Sequence, residues 1–130
     1  MKKWVLILIL ATLTINCSID DENTIKEKII GKWLWIESSG GIQGETINPQ
    51  TTGENRHIVI TSDKITYYTN GTLTSEFGYY LQKGASIWTI EEADLMIYEN
   101  DRTQSIVLNE NKLILYDECN DCYQNEYIKE

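Results

Sequence analysis

The stretch KITYYTNGTLTSEF, residues 64–77, decides the fold of this chain. Two runs rich in β-branched and aromatic residues stand on either side of the pair Asn70-Gly71. A two-residue type I′ turn needs positive φ at both central positions, which Asn and Gly tolerate best. The stretch therefore predicts an antiparallel β-hairpin with Asn70 and Gly71 in its turn.

Similar short runs continue along the chain in both directions from this hairpin. Turn signals separate them at a spacing of about 8–12 residues, which is typical of an all-β domain. Weaker turn signals lie at 83–86 and 109–111. Some runs are expected to merge, so we expect eight or nine strands. The ten runs are 32–38, 56–62, 64–69, 72–77, 79–82, 86–90, 94–99, 103–109, 112–117 and 123–129.

Two segments depart from this strand pattern. One short helix is predicted before the first strand, with Thr24 as N-cap, Ile25 and Ile29 on one face, and an end at Gly31. Residues 38–54 contain four glycines and the single proline, which predicts a long irregular loop. A loop of that length either covers a site, as a lid would, or is a mobile connection without a role.

Short hairpin connections favour a meander in which each strand pairs with its sequence neighbour. An acidic domain of this size removes its exposed sheet edges best by closing into a barrel. We therefore predict an all-β fold, an eight- to nine-stranded antiparallel meander that closes into a barrel, with one short N-terminal helix. The interior of such a barrel is either filled by side chains or left open for one small ligand.

The first sixteen residues have the pattern of an export signal. Lys2 and Lys3 precede an apolar run of about ten residues, 4–13, well short of the roughly 20 that cross a bilayer as a helix. We interpret 1–16 as a signal peptide that is removed from the mature chain.

The residues that end this run, Thr14, Ile15, Asn16 and Cys17, resemble the lipobox of bacterial lipoproteins. The resemblance implies a lipoprotein acylated at Cys17, anchored to a membrane through its N-terminal acyl chains. An acidic tether, 17–24, and a folded domain, 25–130, would follow. It also implies a place in the cell envelope, on the outer membrane, either periplasmic or surface-exposed. Ordinary secretion is the alternative interpretation.

Three motifs of the domain resemble the lipocalin-like lipoproteins of the Bacteroidota. They are Gly31-Lys32-Trp33 in the first strand, the hairpin KITYYTNGTLT, and the closing Tyr127-Ile128-Lys129. The resemblance implies a lipocalin-like barrel in which Trp33 plugs the closed end. Lys129 stands at the position of the arginine that covers this tryptophan in lipocalins.

Cys119 and Cys122 stand three residues apart between the last two predicted strands. In an exported chain this spacing favours a disulfide that closes the final hairpin. A zinc site would need two further thiolate or imidazole ligands, and the single histidine, His57, lies on another predicted strand. We therefore expect no metal and no cofactor.

Aromatic residues on separate strands are the candidates for ligand contact. Inside a barrel they either pack into a core or line a cavity, where their O–H and N–H groups need partners. The register that decides between these alternatives cannot be read from one sequence. The candidates are Trp35, Tyr67, Tyr79, Trp88, Tyr98 and Tyr116.

The net charge and the lack of a recognisable catalytic motif narrow the possible functions of the protein. The formal charge is −9, and it becomes −11 when Lys2 and Lys3 leave with the signal peptide, which makes nucleic acid an unfavourable partner. No catalytic constellation accompanies His57, so we do not expect an enzyme. We expect a binding module for a small apolar or amphipathic ligand. The alternative is an inhibitor-like lipoprotein with a filled barrel, whose acidic surface binds a basic protein.

Overall fold

The computed structural model describes residues 21–130, with side chains from Ile25 onward. This part of the chain contains nine strands and two short helices. In chain order they are α1 (Asp21–Ile29), β1 (Gly31–Gly40), β2 (Glu45–Ile47), α2 (Pro49–Thr52), β3 (Arg56–Ile60), β4 (Lys64–Thr69), β5 (Thr72–Gly84), β6 (Ala93–Tyr98), β7 (Thr103–Asn109), β8 (Lys112–Asp117) and β9 (Tyr123–Lys129).

The strands form a closed antiparallel barrel, as the sequence predicts. From β3 to β9 each strand pairs with its sequence neighbour, β1 pairs with β3, and pairing of β1 with β9 closes the sheet. Eight strands make up the closed barrel. The short β2 is a ninth strand that folds back on the end of β1, where Ser38 pairs with Ile47.

The predicted hairpin is confirmed. Asn70 has φ of 51° and Gly71 has φ of 78°, so both central residues of the turn are in the left-handed region. The strands on either side pair from Thr69 with Thr72 to Lys64 with Gly78. Local turn chemistry therefore specifies this connection, independently of the rest of the barrel.

Among the ten predicted runs, two merge as expected and one is not a strand. The runs 72–77 and 79–82 form one continuous strand, β5. The run 86–90 is not a strand: it lies in an irregular segment, 85–92, which we call the strap. Side chains hold the strap in place, because Trp88 Nε1 donates to the Asp117 carbonyl at 2.9 Å and Ser86 Oγ donates to Glu118 at 2.6 Å.

The long segment 38–54 contains more regular structure than the sequence indicates. It holds the end of β1, the whole of β2 and the helix α2. Asn48 caps α2 by accepting a hydrogen bond from the Thr51 amide at 3.0 Å, and Gly53 ends it with φ of 70°. These caps turn the chain into Glu54 and the start of β3.

The N-terminal helix begins earlier than predicted. Helix α1 starts at Asp21, so Thr24 lies inside the helix and is not its N-cap. Its end at Ile29 agrees with the prediction of a stop before Gly31. Part of the predicted tether, 17–24, is therefore helical. The signal peptide 1–16 and the acylated Cys17 lie outside the described residues.

Along the strands of the closed barrel, side chains that face the interior alternate with side chains that face outward, except at two β-bulges. Cross-strand partners share a face, as Ile58 does with both Trp33 and Tyr67. One half of the interior is packed with apolar side chains that are almost fully buried. These are Trp33, Ile60, Ile65, Met96, Ile106, Leu113 and Leu115.

Two β-bulges change which residues face inward near the other half. In β1 the register shifts between Trp35 and Glu37, so that Trp35 and Ser38 both point into the barrel despite their odd spacing. In β5 a second shift lies opposite Tyr67 and Tyr68. Both bulges border the open half of the interior.

Candidate functional site

The open half of the barrel contains a cavity of about 540 Å³. This volume lies within the range of about 300–1,000 Å³ that is usual for small-molecule sites. Aromatic and polar side chains share its walls. Its lining residues include Trp35, Ser38, Glu54, Arg56, Tyr67, Thr69, Phe77, Arg102, Gln104, Asn125 and Tyr127.

One wall of the cavity is built around the Trp35 indole. Trp35 Nε1 donates to Ser38 Oγ at 2.9 Å, and Ser38 Oγ donates to Asn125 Oδ1 at 2.6 Å. The Arg56 guanidinium lies over the indole, with Cζ 4.4 Å from the ring centroid. Arg56 Nε also donates to the Glu54 carboxylate at 2.8 Å. Glu54 and Arg56 reach the cavity because α2 ends immediately before them.

A second group of residues at the cavity is joined by a chain of hydrogen bonds that begins at Tyr67. The Tyr67 and Tyr98 hydroxyls lie 3.3 Å apart, and Tyr98 donates to Gln104 Oε1. Gln104 Nε2 donates to Asp117 Oδ1 at 2.7 Å, and the same oxygen accepts from Arg102 Nη2 at 2.7 Å. All five side chains therefore belong to one network that ends in an ion pair.

The Asp117 carboxylate determines the donor and the acceptor of every hydrogen bond in this network. Asp117 only accepts, so Gln104 must present its NH₂ group to Asp117 and its oxygen to Tyr98. Tyr98 then uses its single proton on Gln104, and Tyr67 must donate to Tyr98. The Tyr67 oxygen is left as a hydrogen-bond acceptor at the cavity wall.

Burial sets the protonation of the inward-facing tyrosines. Removal from water raises the pKa of Tyr67 and raises that of Tyr98 well above its ordinary value. Burial also raises the pKa of Tyr127, and it raises the pKa of Tyr79 to about 12. These hydroxyls are neutral at physiological pH, since burial disfavours the phenolate. They act in the cavity as hydrogen-bonding groups without charge.

The other end of the barrel is closed by α1 and Trp33. The Trp33 indole is fully buried, and its Nε1 donates to the Ile29 carbonyl at 2.8 Å. Lys129 Nζ lies 5.1 Å from the centroid of that ring and donates to the carbonyls of Lys28 and Ile30, each at 3.1 Å. The two residues that the lipocalin resemblance places together, Trp33 and Lys129, are in contact, and the Lys129 ammonium links the end of α1 to the barrel.

The six aromatic candidates fall into three environments. Trp35 and Tyr67 line the cavity. Tyr98 lies behind Tyr67, and Tyr79 points inward but donates its hydroxyl to the Thr61 carbonyl. Trp88 and Tyr116 pack against each other on the outer face, with ring centroids 5.6 Å apart. The structure therefore brings two of the six to the cavity.

Beneath the strap lies a smaller groove of about 140 Å³, between Trp88 and Tyr116. The Ser105 hydroxyl borders it. Ser105 is 2% exposed, and its Oγ has no hydrogen-bond partner among the described residues. A buried hydroxyl without a partner is a local cost in stability.

The predicted disulfide between Cys119 and Cys122 is confirmed. It closes the connection between β8 and β9, and Asp121 in this connection has φ of 58°. Pairing the two cysteines leaves neither thiolate free for the alternative of a zinc site.

Most polar residues of the cavity were not predicted from the sequence. Alternation in Arg56, Ile58 and Ile60 gives a usable signal, because residues two apart on a strand share a face with the buried isoleucines. Gln104 and Ile106 give the same signal in β7. No local sequence pattern indicates that Ser38 faces the cavity, because the bulge in β1 reverses the face of the strand on which its side chain lies.

The fold and site define a closed antiparallel barrel with an open polar-aromatic cavity at one end and a helix-covered tryptophan at the other. Comparison with family models, with curated proteins and with solved structures found no match to this chain. Within residues 21–130, no helix has the length and apolar character needed to cross a membrane.

Proposed function

We propose that this protein is a lipid-anchored binding module of the cell envelope, whose barrel holds one small amphipathic molecule. The observation that carries the proposal is the cavity of about 540 Å³ inside the barrel. Its volume and its mixture of aromatic walls with a few polar groups are those of small-molecule sites. The alternative of an interaction protein with a filled barrel fits this open interior less well.

Two features of the cavity support an amphipathic ligand. Trp35, Phe77 and Tyr127 supply apolar ring surface, which favours a hydrophobic part of the ligand. Asn125 and Arg56 supply polar groups on the same wall, which would fix the orientation of a polar part. Trp33 and α1 block the other end of the barrel, so the ligand would enter at the open end.

The anchor is proposed from the sequence alone. The apolar run 4–13 and the following Cys17 resemble a lipoprotein signal, and two or three acyl chains hold a protein stably on a membrane. A molecule drawn from the neighbouring bilayer or from the envelope space would then reach the barrel over a short distance.

Native mass spectrometry of protein purified from its own membranes tests both parts of this proposal. We expect the added mass of acyl chains at Cys17, and a small molecule retained at a ratio of one per chain. Thr69 lines the cavity, so the Thr69→Trp variant should fill it and lose the small molecule. Leu73→Trp, on the outer face of the same hairpin, is the matched control and should keep it. An unacylated chain would refute the anchor, and retention by Thr69→Trp would refute the site.

A further inference from the structure

The hydrogen bonds of the Trp35 wall leave unused donors on two residues that line the cavity. Arg56 uses Nε and Nη2 on a single oxygen of Glu54, and within residues 21–130 its Nη1 makes no hydrogen bond. Asn125 accepts from Ser38 through Oδ1, and its NH₂ group has no partner in the same range. The indole of Trp35 connects these two donor groups, because Arg56 covers its ring and Ser38 joins its N–H to Asn125.

The charges of the cavity already balance one another. Arg56 is paired with Glu54, and Arg102 is paired with Asp117 at 2.7 Å. A ligand carboxylate would add an uncompensated negative charge beside Glu54, in a chain whose formal charge is already −9. A ligand ammonium would meet the unused donors of Arg56. Half-buried sites penalise unpaired charge of either sign.

Tyr67, which lines the same cavity, offers the complementary group. The Tyr67 oxygen is an acceptor, because its proton is committed to the Tyr98 hydroxyl, which donates to Gln104. The cavity thus combines donors at Arg56 and Asn125 with an acceptor at Tyr67. A ligand that satisfies all of them carries both an acceptor and an N–H or O–H donor.

From these observations we infer that the ligand is an uncharged amphipathic molecule whose carbonyl oxygen accepts hydrogen bonds from Arg56 and Asn125. Its N–H or O–H group faces Tyr67, and its apolar part lies against the aromatic walls. This inference rests on the proposed binding function and narrows it to a chemical class, that of amides and hydroxylated carbonyl compounds with an apolar tail.

Isothermal titration calorimetry with three probes of equal chain length tests the class. At pH 8 octanamide is neutral, octanoate is an anion and octylamine is a cation. We expect octanamide to bind at least about tenfold more tightly than either charged probe. Equal or tighter binding of octanoate or octylamine would overturn the inference.

The Glu54→Gln variant tests whether the pairing of Glu54 with Arg56 disfavours an anionic ligand. The substitution leaves Arg56 as an uncompensated cation, so octanoate should gain about tenfold in affinity relative to octanamide. Glu76→Gln removes an acid that is paired with Lys64 on the outer face, and is the matched control. Octanoate binding that does not respond to Glu54→Gln, or that responds equally to Glu76→Gln, would contradict the inference.

Asn125→Asp tests the donor directly. The carboxylate can still accept from Ser38, but it replaces the NH₂ group with an acceptor of nearly the same shape. Octanamide should then weaken by about tenfold, and octylamine should gain. If no probe binds the wild-type protein, the inference fails. The proposed function is then decided separately by native mass spectrometry, which does not depend on these probes.

Discussion

Two buried serines of the barrel differ in whether their hydroxyl groups are hydrogen-bonded. Ser38 is 4% exposed and links Trp35 to Asn125 at the cavity. Ser105 is 2% exposed and lies under the strap without a partner among the described side chains. A satisfied buried hydroxyl adds stability, whereas an unsatisfied one carries its desolvation cost.

Replacing each serine by alanine should therefore have opposite effects on the free energy of unfolding. Ser105→Ala should leave it unchanged or raise it by about 1 kcal/mol, because no hydrogen bond is lost. Ser38→Ala should lower it by about 1–3 kcal/mol, since Trp35 and Asn125 lose their shared partner. Urea denaturation followed by circular dichroism measures both. A marked loss of stability in Ser105→Ala would show that its hydroxyl has a partner after all.

Among the elements, the connection between β8 and β9 has the greatest bearing on the cavity. It joins Asp117, which ends one polar network, to the strand that carries Asn125 of the other. The disulfide between Cys119 and Cys122 restrains this connection. A short disulfide loop acts mainly on the unfolded chain, whose freedom it reduces only modestly.

We predict that the double variant Cys119→Ser, Cys122→Ser keeps the barrel fold. Its free energy of unfolding should be about 2 kcal/mol lower than that of the wild type. The β-sheet ladders on both sides do not depend on the bridge, so the circular dichroism spectrum should be unchanged at low temperature. Guanidinium titrations of the variant and of the wild type, with and without reductant, provide the measurement. Reductant should have no effect on the variant. Complete unfolding of the variant in buffer would contradict the prediction.

On the scale of the whole molecule, the barrel interior has a packed apolar half and an open polar-aromatic half. Four tyrosines face this interior, and burial raises the pKa of each: Tyr67, Tyr79, Tyr98 and Tyr127. In the unfolded chain they titrate near pH 10. The folded state therefore holds these protons to higher pH than the unfolded state does.

Because the tyrosine pKa values are higher in the folded state than in the unfolded state, the free energy of unfolding should fall at alkaline pH. The stabilisation is fully present below about pH 10 and is lost as pH rises from there through the folded-state pKa, about 12 for Tyr79. We expect urea midpoints to fall steadily above pH 10, with phenolate absorbance at 295 nm rising as the barrel unfolds. Tyr79→Phe should reduce this pH dependence. Titration of all eight tyrosines near pH 10 with the fold intact would contradict the prediction.

The sequence by itself determined the β-rich character of the chain, most strand positions, the Asn70-Gly71 turn and the disulfide. Each of these depends on chemistry within a few residues, such as strand periodicity, positive φ at a turn or the spacing of two cysteines. The exception depends on residues that are distant in the sequence, Asp117 and Glu118. The run 86–90 has strand composition, yet hydrogen bonds of Trp88 and Ser86 hold it as the strap.

Only the tertiary structure decided which residues form the cavity. Ser38 and Asn125 meet across 87 residues of sequence, through the pairing of β1 with β9 and a bulge that turns Ser38 inward. A shift of one residue in either strand would turn that strand's side chain to the outer face and separate Ser38 from Asn125. The physical reason is that strand propensity is a local property, whereas register and bulges are fixed when distant strands close the barrel.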